Sequence, residues 1–211
     1  MSKDAVSLNI VILPDALTTQ KAIETSKAVS EHLPTHFVLN ATNRLPHITV
    51  YQAHFPLHNM DAVKKNISNV ASVVKPFDVT LNRTTISYGT FLFWNCVKTQ
   101  KLTHLQQRVI KSVNHLRNGL LLPNLQTITH LSKDDQNDVK QYGSLLIGPR
   151  YEPHITITRI RSEQDGEKAA SLCNAIARFN VNRLVIGYLG EHGTVTEVIQ
   201  SFPLKNSPES L

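Results

Sequence analysis

The chain has 211 residues, 41% of them hydrophobic and 18% charged, with no long charge run or low-complexity tract. That composition supplies a sizeable core and excludes a disordered chain. The formal net charge of +6 points to an anionic partner such as nucleic acid, a nucleotide or phosphate.

The first apolar run, SLNIVIL at 7–13, is rich in β-branched residues. It reads as a buried strand rather than a secretory leader or a membrane span. Pro14 and Asp15 end it, and a helix is predicted over 16–33, with Ile23, Val29 and Leu33 near helical spacing. A weak strand is predicted at 36–40 and a further strand at 47–53. Asn59 is the expected N-cap of a helix whose stripe is Met60, Val63, Ile67, Val70 and Val74, closed by Pro76. Strands at 77–87 and 91–97 flank the turn Tyr88-Gly89-Thr90. Leu102, Leu105, Val109, Val113 and Leu116 mark the next helix. Residues 119–150 read as an insertion holding a short strand or lid, with a polar helix capped by Ser132 and Asp135. A strand at 154–160 follows. Ser162 and Asp165 open another helix, with Ala169, Leu172, Ile176 and Phe179 inward. Strands at 182–188 and 194–202 close a single bilobal domain over 1–204, and 205–211 is an expected flexible tail. Cys96 and Cys173 lie outside any CxxC or His/Cys cluster and read as buried thiols, consistent with a reducing cytoplasm.

The tetrapeptide Pro-His-Ile-Thr occurs twice, at 46–49 and 153–156. Each copy opens a strand that runs into an amphipathic helix, then Phe, then two more strands. A tyrosine precedes a turn in both halves, at Tyr88 and Tyr188. This reads as a duplicated strand–helix–strand–strand unit, packed about a pseudo-twofold axis with the two motif strands facing a central groove.

Strand alternation puts His47, Thr49 and Tyr51 on one face, and His154, Thr156 and Thr158 on one face of the second copy. Ile48, Val50, Ile155 and Ile157 then face a core. Two imidazoles and two hydroxyls around one point suit phosphodiester chemistry without a metal. One imidazole takes a proton, the other gives one, and the hydroxyls bind phosphate oxygens. His-x-Thr alone is a weak pattern. A third copy, His192-Gly193-Thr194, reads as a hairpin turn, and His130-Leu131-Ser132 is a looser variant. The tetrapeptide identity and the matching downstream elements make the pair specific.

The paired His-x-Thr motifs in a duplicated unit resemble the 2H phosphoesterase superfamily, which includes 2′-5′ RNA ligase-like proteins and cyclic phosphodiesterases. The resemblance covers roughly 7–204. It implies an α+β bilobal fold, with two antiparallel β-sheets lining a central groove and helices packed outside. It implies catalytic roles for His47 and His154, with His154 as base and His47 as acid, and phosphate binding by Thr49 and Thr156. The expected substrates are RNA ends or small nucleotides carrying a 2′ phosphodiester. The expected protein is a monomer with no cofactor, no metal and no membrane partner.

Arg44, Tyr51, Arg150 and Tyr151 flank the motifs and are candidates for substrate contact, against the plain alternative of loop arginines and core tyrosines. Arg159 falls on the face of Ile155 and Ile157 in a regular strand, which counts against it. His32/His36 and His54/His58 have four-residue spacing, but each pair is interrupted by a proline and lacks an acidic partner. The competing function is a binding module that holds RNA ends without turnover.

Overall fold

The computed structural model describes residues 4–126, 128, 131–173 and 176–205; burial is continuous along Leu8–Ile12 and Leu184–Gly187, the strands covered on both faces, and alternates over segments such as Phe77–Leu81. The strands are β1 (Ala5–Ile12), β2 (Ile48–Pro56), β3 (Phe77–Ser87), β4 (Phe91–Cys96), β5 (His154–Arg159), β6 (Ala177–Val181), β7 (Arg183–Leu189) and β8 (Val195–Pro203). All pair antiparallel, in the order β6-β3-β4-β5-β2-β1-β7-β8. The motif strands β2 and β5 therefore sit side by side at the centre. Each pairs outward with the strand that precedes it in the chain, β2 with β1 and β5 with β4. Two four-stranded antiparallel halves meet at the single pair Ile48–Ile155.

Among the described residues, five helices cover one side of this sheet or lie in the insertion: α1 (Ala16–His32), α2 (Met60–Ala71), α3 (Gln100–Val113), α4 (Lys133–Tyr142) and α5 (Gly166–Ser171). α2 packs on β7 and β8 and α3 on β2, while α1 packs on β5 and β6 and α5 on β3 and β4. The core faces of the strands, such as Leu8, Ile10 and Ile12 of β1, join Val63 and Ile67 of α2 and Leu102, Leu105 and Val109 of α3 in one fully buried cluster. Each such aliphatic side chain contributes on the order of 2 kcal/mol by leaving water.

Local chemistry explains the helix starts. Asp15 accepts from Thr18 N at 2.8 Å, Thr99 from Leu102 N at 3.3 Å and Ser132 from Asp135 N at 3.1 Å. Asn59 departs from its expected capping role. Its side chain donates to Leu116 O at 2.8 Å, and α2 is entered from a 3-10 turn at Leu57–Asn59.

Other expectations change on packing grounds. Residues 36–40 form no strand; Thr35 bridges Ile160, and Phe37 and Leu39 are buried, with Phe37 O accepting from Thr158 Oγ1 and Leu39 N–H donating to Ser26 Oγ at 2.9 Å. The helix expected to bury Ile176 and Phe179 stops at Ser171. Ile176 is 72% exposed, and Phe179 is buried on β6, which pairs with β3. The insertion holds a 3-10 turn at Pro123–Gln126 and α4, with no strand among its described residues. Arg117, only 2% exposed, ties it down by donating to Asn114 Oδ1 and to the carbonyls of Leu120 and Gln141. Gly143 ends α4 at φ +65, where a Cβ would lie 2.7 Å from the Arg117 guanidinium. Lys205, the first residue of the expected tail, is instead held by its N–H on Ala71 O and Val74 O, at 3.1 and 2.9 Å; the rest of that tail, 206–211, and His130 of the looser His-x-Ser variant lie outside the described residues.

Candidate active site

Ile48 and Ile155 are directly paired and fully buried. Carrying that antiparallel register one residue either way puts His47 across from Thr156 and Thr49 across from His154. The two imidazoles fall on the sheet face away from the buried isoleucines, near enough for the charge of His47 to bear on His154.

The two histidines are held in the same way. His47 Nδ1 lies 2.6 Å from Leu45 O, and His154 Nδ1 lies 2.6 Å from Glu152 O. A carbonyl only accepts, so each Nδ1 carries the proton and each Nε2 is the bare nitrogen of the neutral ring. The motif prolines, Pro46 and Pro153, hold the backbone extended between each acceptor and its ring.

Burial lowers the pKa of His47, opposed by the backbone of Leu45 and of Gly193. His154 is pushed down to about 4, first by burial, against the Glu152 carbonyl, with the nearby His47 charge adding to the shift. Phe93 supplies much of that dry environment. Its ring stacks on His154, with centroids 3.5 Å apart and planes 14° apart. Both rings are therefore neutral near pH 7 before an anion enters. A bound phosphate favours the charged imidazole and can hold one proton in the site.

Asn9 completes the arrangement and escaped the sequence reading. It is fully buried, with Nδ2 3.3 Å from His47 Nε2 and 3.2 Å from Thr49 Oγ1. Among the described residues, its Oδ1 has no hydrogen-bond partner. Turning the amide over would present that oxygen to a protonated Nε2, so Asn9 can serve either charge state of His47. The available signal was a lone amide inside the apolar run SLNIVIL.

The strands then break their alternation. Ile10 pairs with Tyr51 and Val11 with Thr49, so Val50 is the extra residue of a β-bulge. Leu92 pairs with Thr158 and Phe93 with Thr156, so Ile157 is the extra residue of a second bulge. Both bulges fall three residues after a motif histidine, and each flips the side chains that follow it.

A family model for the 2′-5′ RNA ligase superfamily matches residues 14–192. The chain belongs to that superfamily. Its fold is shared by TT0787 of Thermus thermophilus, at TM-score 0.61 and 13% identity, over 96% of this chain and 100% of that one. E. coli LigT complexed with 3′-AMP matches at TM-score 0.51 and 10% identity, over 97% and 100%. A structure described as a phosphoesterase matches at 0.50 and 14%, over 95% and 99%. No curated protein matches the chain.

In this member of the 2′-5′ RNA ligase superfamily, several expected contacts are redirected. Tyr51, flipped by the Val50 bulge, is buried on the core side, where its hydroxyl lies 2.9 Å from Asn114 Oδ1 and donates to Tyr142 O at 2.7 Å. Thr158, flipped by the Ile157 bulge, is buried and donates to Phe37 O. Tyr151 is 2% exposed and donates to Thr49 O at 3.1 Å, supporting the motif from below. Arg150 is engaged by Asp135 at 3.0 Å and by Asp138, which fastens α4 rather than presenting a cation to the groove. Arg44 is exposed on a loop organised by Asn40, whose Oδ1 accepts from the backbone of Thr42, Asn43 and Arg44.

The Ile157 bulge brings Arg159 onto the site face beside Phe91, its guanidinium 5.0 Å from that ring's centre. Tyr88 is 63% exposed and meets the edge of Phe93, and Tyr188 is 38% exposed, so neither is the core residue that duplication would give. A cleft of about 420 Å³ between α3 and the 142–148 segment includes Gln106, Asn114 and Tyr142 in its lining and none of the motif residues.

Proposed function

We propose that this protein is a metal-independent phosphodiesterase acting on 2′-linked phosphodiesters: the 2′,3′-cyclic phosphate of RNA ends or nucleotides, or 2′,5′-linked oligonucleotides. The observation that carries this reading is the matched pair of imidazoles. Each has its Nδ1–H locked on a carbonyl, and the two motif strands that carry them meet at the Ile48–Ile155 pair. Family membership and the net charge of +6 support it. So does the LigT neighbour, whose structure holds 3′-AMP.

For a 2′,3′-cyclic phosphate, His154 Nε2 takes a proton from water as the water oxygen bonds to phosphorus. The bond from phosphorus to the 3′ oxygen breaks, and that oxygen takes the proton from His47 Nε2. The product is a 2′-phosphomonoester. A 5′-hydroxyl in place of water gives a 2′-5′ linkage by the same steps. Burial lowers the pKa of both rings, but at His47 two backbone groups, Leu45 and Gly193, oppose the shift against one, Glu152, at His154, so His47 is the better acid candidate. His154 suits the base role because burial, Phe93 and the His47 charge keep it neutral. Thr49 and Thr156 donate to the non-bridging oxygens as charge grows on them.

The test is turnover in EDTA of 2′,3′-cyclic nucleotides, a 2′,5′-linked oligoadenylate and a 3′,5′ control, beside the His47→Ala, His154→Ala double variant. Turnover of a 2′ substrate that is lost in the double variant is the expected result. Salt-dependent RNA binding with no turnover of any substrate favours the binding-module alternative.

A further inference from the structure

Past the Val50 bulge, β2 turns Tyr51, Ala53 and Phe55 into the core. Gln52 and His54 are thereby left half-buried on the face that carries His47 and Thr49. β1 is divided in the same way, with Leu8 and Ile10 in the core cluster and Ser7 and Asn9 on the opposite face. Register joins the two sets: Asn9 lies across from Gln52, and Ser7 across from His54.

These side chains continue the candidate catalytic centre along the sheet. Asn9 Nδ2 reaches Thr49 Oγ1 at 3.2 Å, and Ser7 Oγ lies 3.0 Å from His54 Nδ1. The Gln52 amide forms no hydrogen bond among the described residues. On this face Gln52 is the next position after Thr49, and His54 the one after that. Each two-residue step along a strand is about 7 Å. A ligand whose phosphate is held at Thr49 therefore extends over Gln52 and then His54.

The shelf is polar but uncharged. Burial lowers the His54 pKa, with no charged neighbour adding to the shift, so the ring is neutral near pH 7. Ser7, Asn9 and Gln52 do not ionise. The same end of the sheet has an apolar wall. Leu189 follows Tyr188, the β7 partner of Leu8, and packs with Leu122, Leu125 and Val139 of the insertion. A charged group would find no counter-charge here. A flat, neutral heterocycle with donors and acceptors along its edge fits. A free primary amide pairs at two points with the donor–acceptor edge of a base, and an imidazole and a hydroxyl meet what remains.

We propose that Gln52, His54 and Ser7 form a nucleobase subsite, which reads the hydrogen-bonding edge of the base on the reacting ribose. This deepens the phosphodiesterase reading and rests on it for the phosphate held at Thr49.

The first arm compares kcat and KM for the 2′,3′-cyclic phosphates of adenosine, guanosine, cytidine and uridine. A spread in kcat/KM of about fivefold to a hundredfold is expected from a two-point amide–base contact. Gln52→Leu should bring the four values together, by raising KM for the best substrate with kcat near the wild-type value. Equal kcat/KM for all four in the wild type overturns the proposal, and so does a spread that persists in Gln52→Leu.

The second arm does not need turnover. The His47→Ala, His154→Ala variant is titrated with 3′-AMP and, separately, with ribose 5-phosphate, which has no base. The His54 imidazole resonances are followed by NMR and assigned by their loss in His54→Gln. Saturable shifts with 3′-AMP and none with ribose 5-phosphate are expected. Equal shifts with both, or none with either, overturn the subsite even if the wild type turns substrates over. Shifts with 3′-AMP alone, without turnover of any substrate by the wild type, leave the base subsite standing and remove the hydrolase reading.

Discussion

Ile48 lies directly across from Ile155, and this one register pair joins the two four-stranded halves of the sheet. Both side chains are fully buried on the helix-covered side, so their motif neighbours turn to the other face. On either side of this pair the β2–β5 pairing stops, while β2 continues along β1 and β5 along β4. The seam is apolar beneath and carries the two motif histidines and threonines above.

His47→Ala and His154→Ala should each lower single-turnover rates on a 2′,3′-cyclic nucleotide by roughly 10²–10⁴-fold. Thr49→Ala and Thr156→Ala should cost about 10²–10³-fold by removing phosphate donors. Rapid-quench assays in EDTA read these effects. Activity that survives the double histidine substitution would reject the two-imidazole mechanism.

The pH profile follows from the two rings. The proposed mechanism needs His154 neutral and His47 charged. Hence kcat/KM should rise as pH climbs through about 4, where free His154 loses its proton. It should fall as pH passes the lowered value of His47, which lies below 6.5. The optimum for the free enzyme is therefore acidic of neutral, and a steady-state profile of kcat/KM checks it. An optimum above pH 8 would reverse the assignment of depressed values.

Stability should change in the same window. Both imidazoles are neutral when folded and titrate near 6.5 when unfolded. Their contribution is present in full above pH 6.5. It declines as pH falls towards about 4, because the unfolded chain binds protons that the folded chain refuses. For the partly accessible His154 this amounts to roughly 1–3 kcal/mol. Urea unfolding at pH 7 and pH 4.5 measures it, and a His154→Gln variant should lose less stability on acidification than the wild type.

Asn9→Leu replaces a buried amide having one unpartnered oxygen with an apolar side chain of similar size. Folding stability should stay level or rise, since an unsatisfied buried polar atom costs about 1–3 kcal/mol. Turnover should nevertheless fall, because His47 and Thr49 lose their common tether. Asn9→Asp should instead favour charged His47 and move the falling limb of the kcat/KM profile to higher pH. An unmoved limb would show that Asn9 does not govern the His47 proton.

Tyr51→Phe should behave as a core substitution. The hydroxyl bonds inward to Asn114 and Tyr142, so its loss should cost about 1–2 kcal/mol of unfolding free energy while KM stays unchanged. Thermal unfolding and steady-state kinetics on one protein sample separate the two effects. A large rise in KM with unchanged stability would return Tyr51 to the groove.

The two motif strands, most helix faces and the family resemblance were legible in the chain before any folding was considered. They depend on local patterns: a repeated tetrapeptide, β-branched runs, and apolar residues at intervals of three and four. Such patterns survive because each strand or helix must bury one face whatever its neighbours are. Which side chains after the histidines reach the groove is a different matter, settled by strand pairing. The bulges at Val50 and Ile157 exist in the pairing with β1 and β4, not in either motif strand alone. They sent Tyr51 and Thr158 inward and Arg159 outward, against strict alternation. The lone amide of Asn9 stands out in its apolar run, but its partners His47 and Thr49 are set only by the register of β1 on β2.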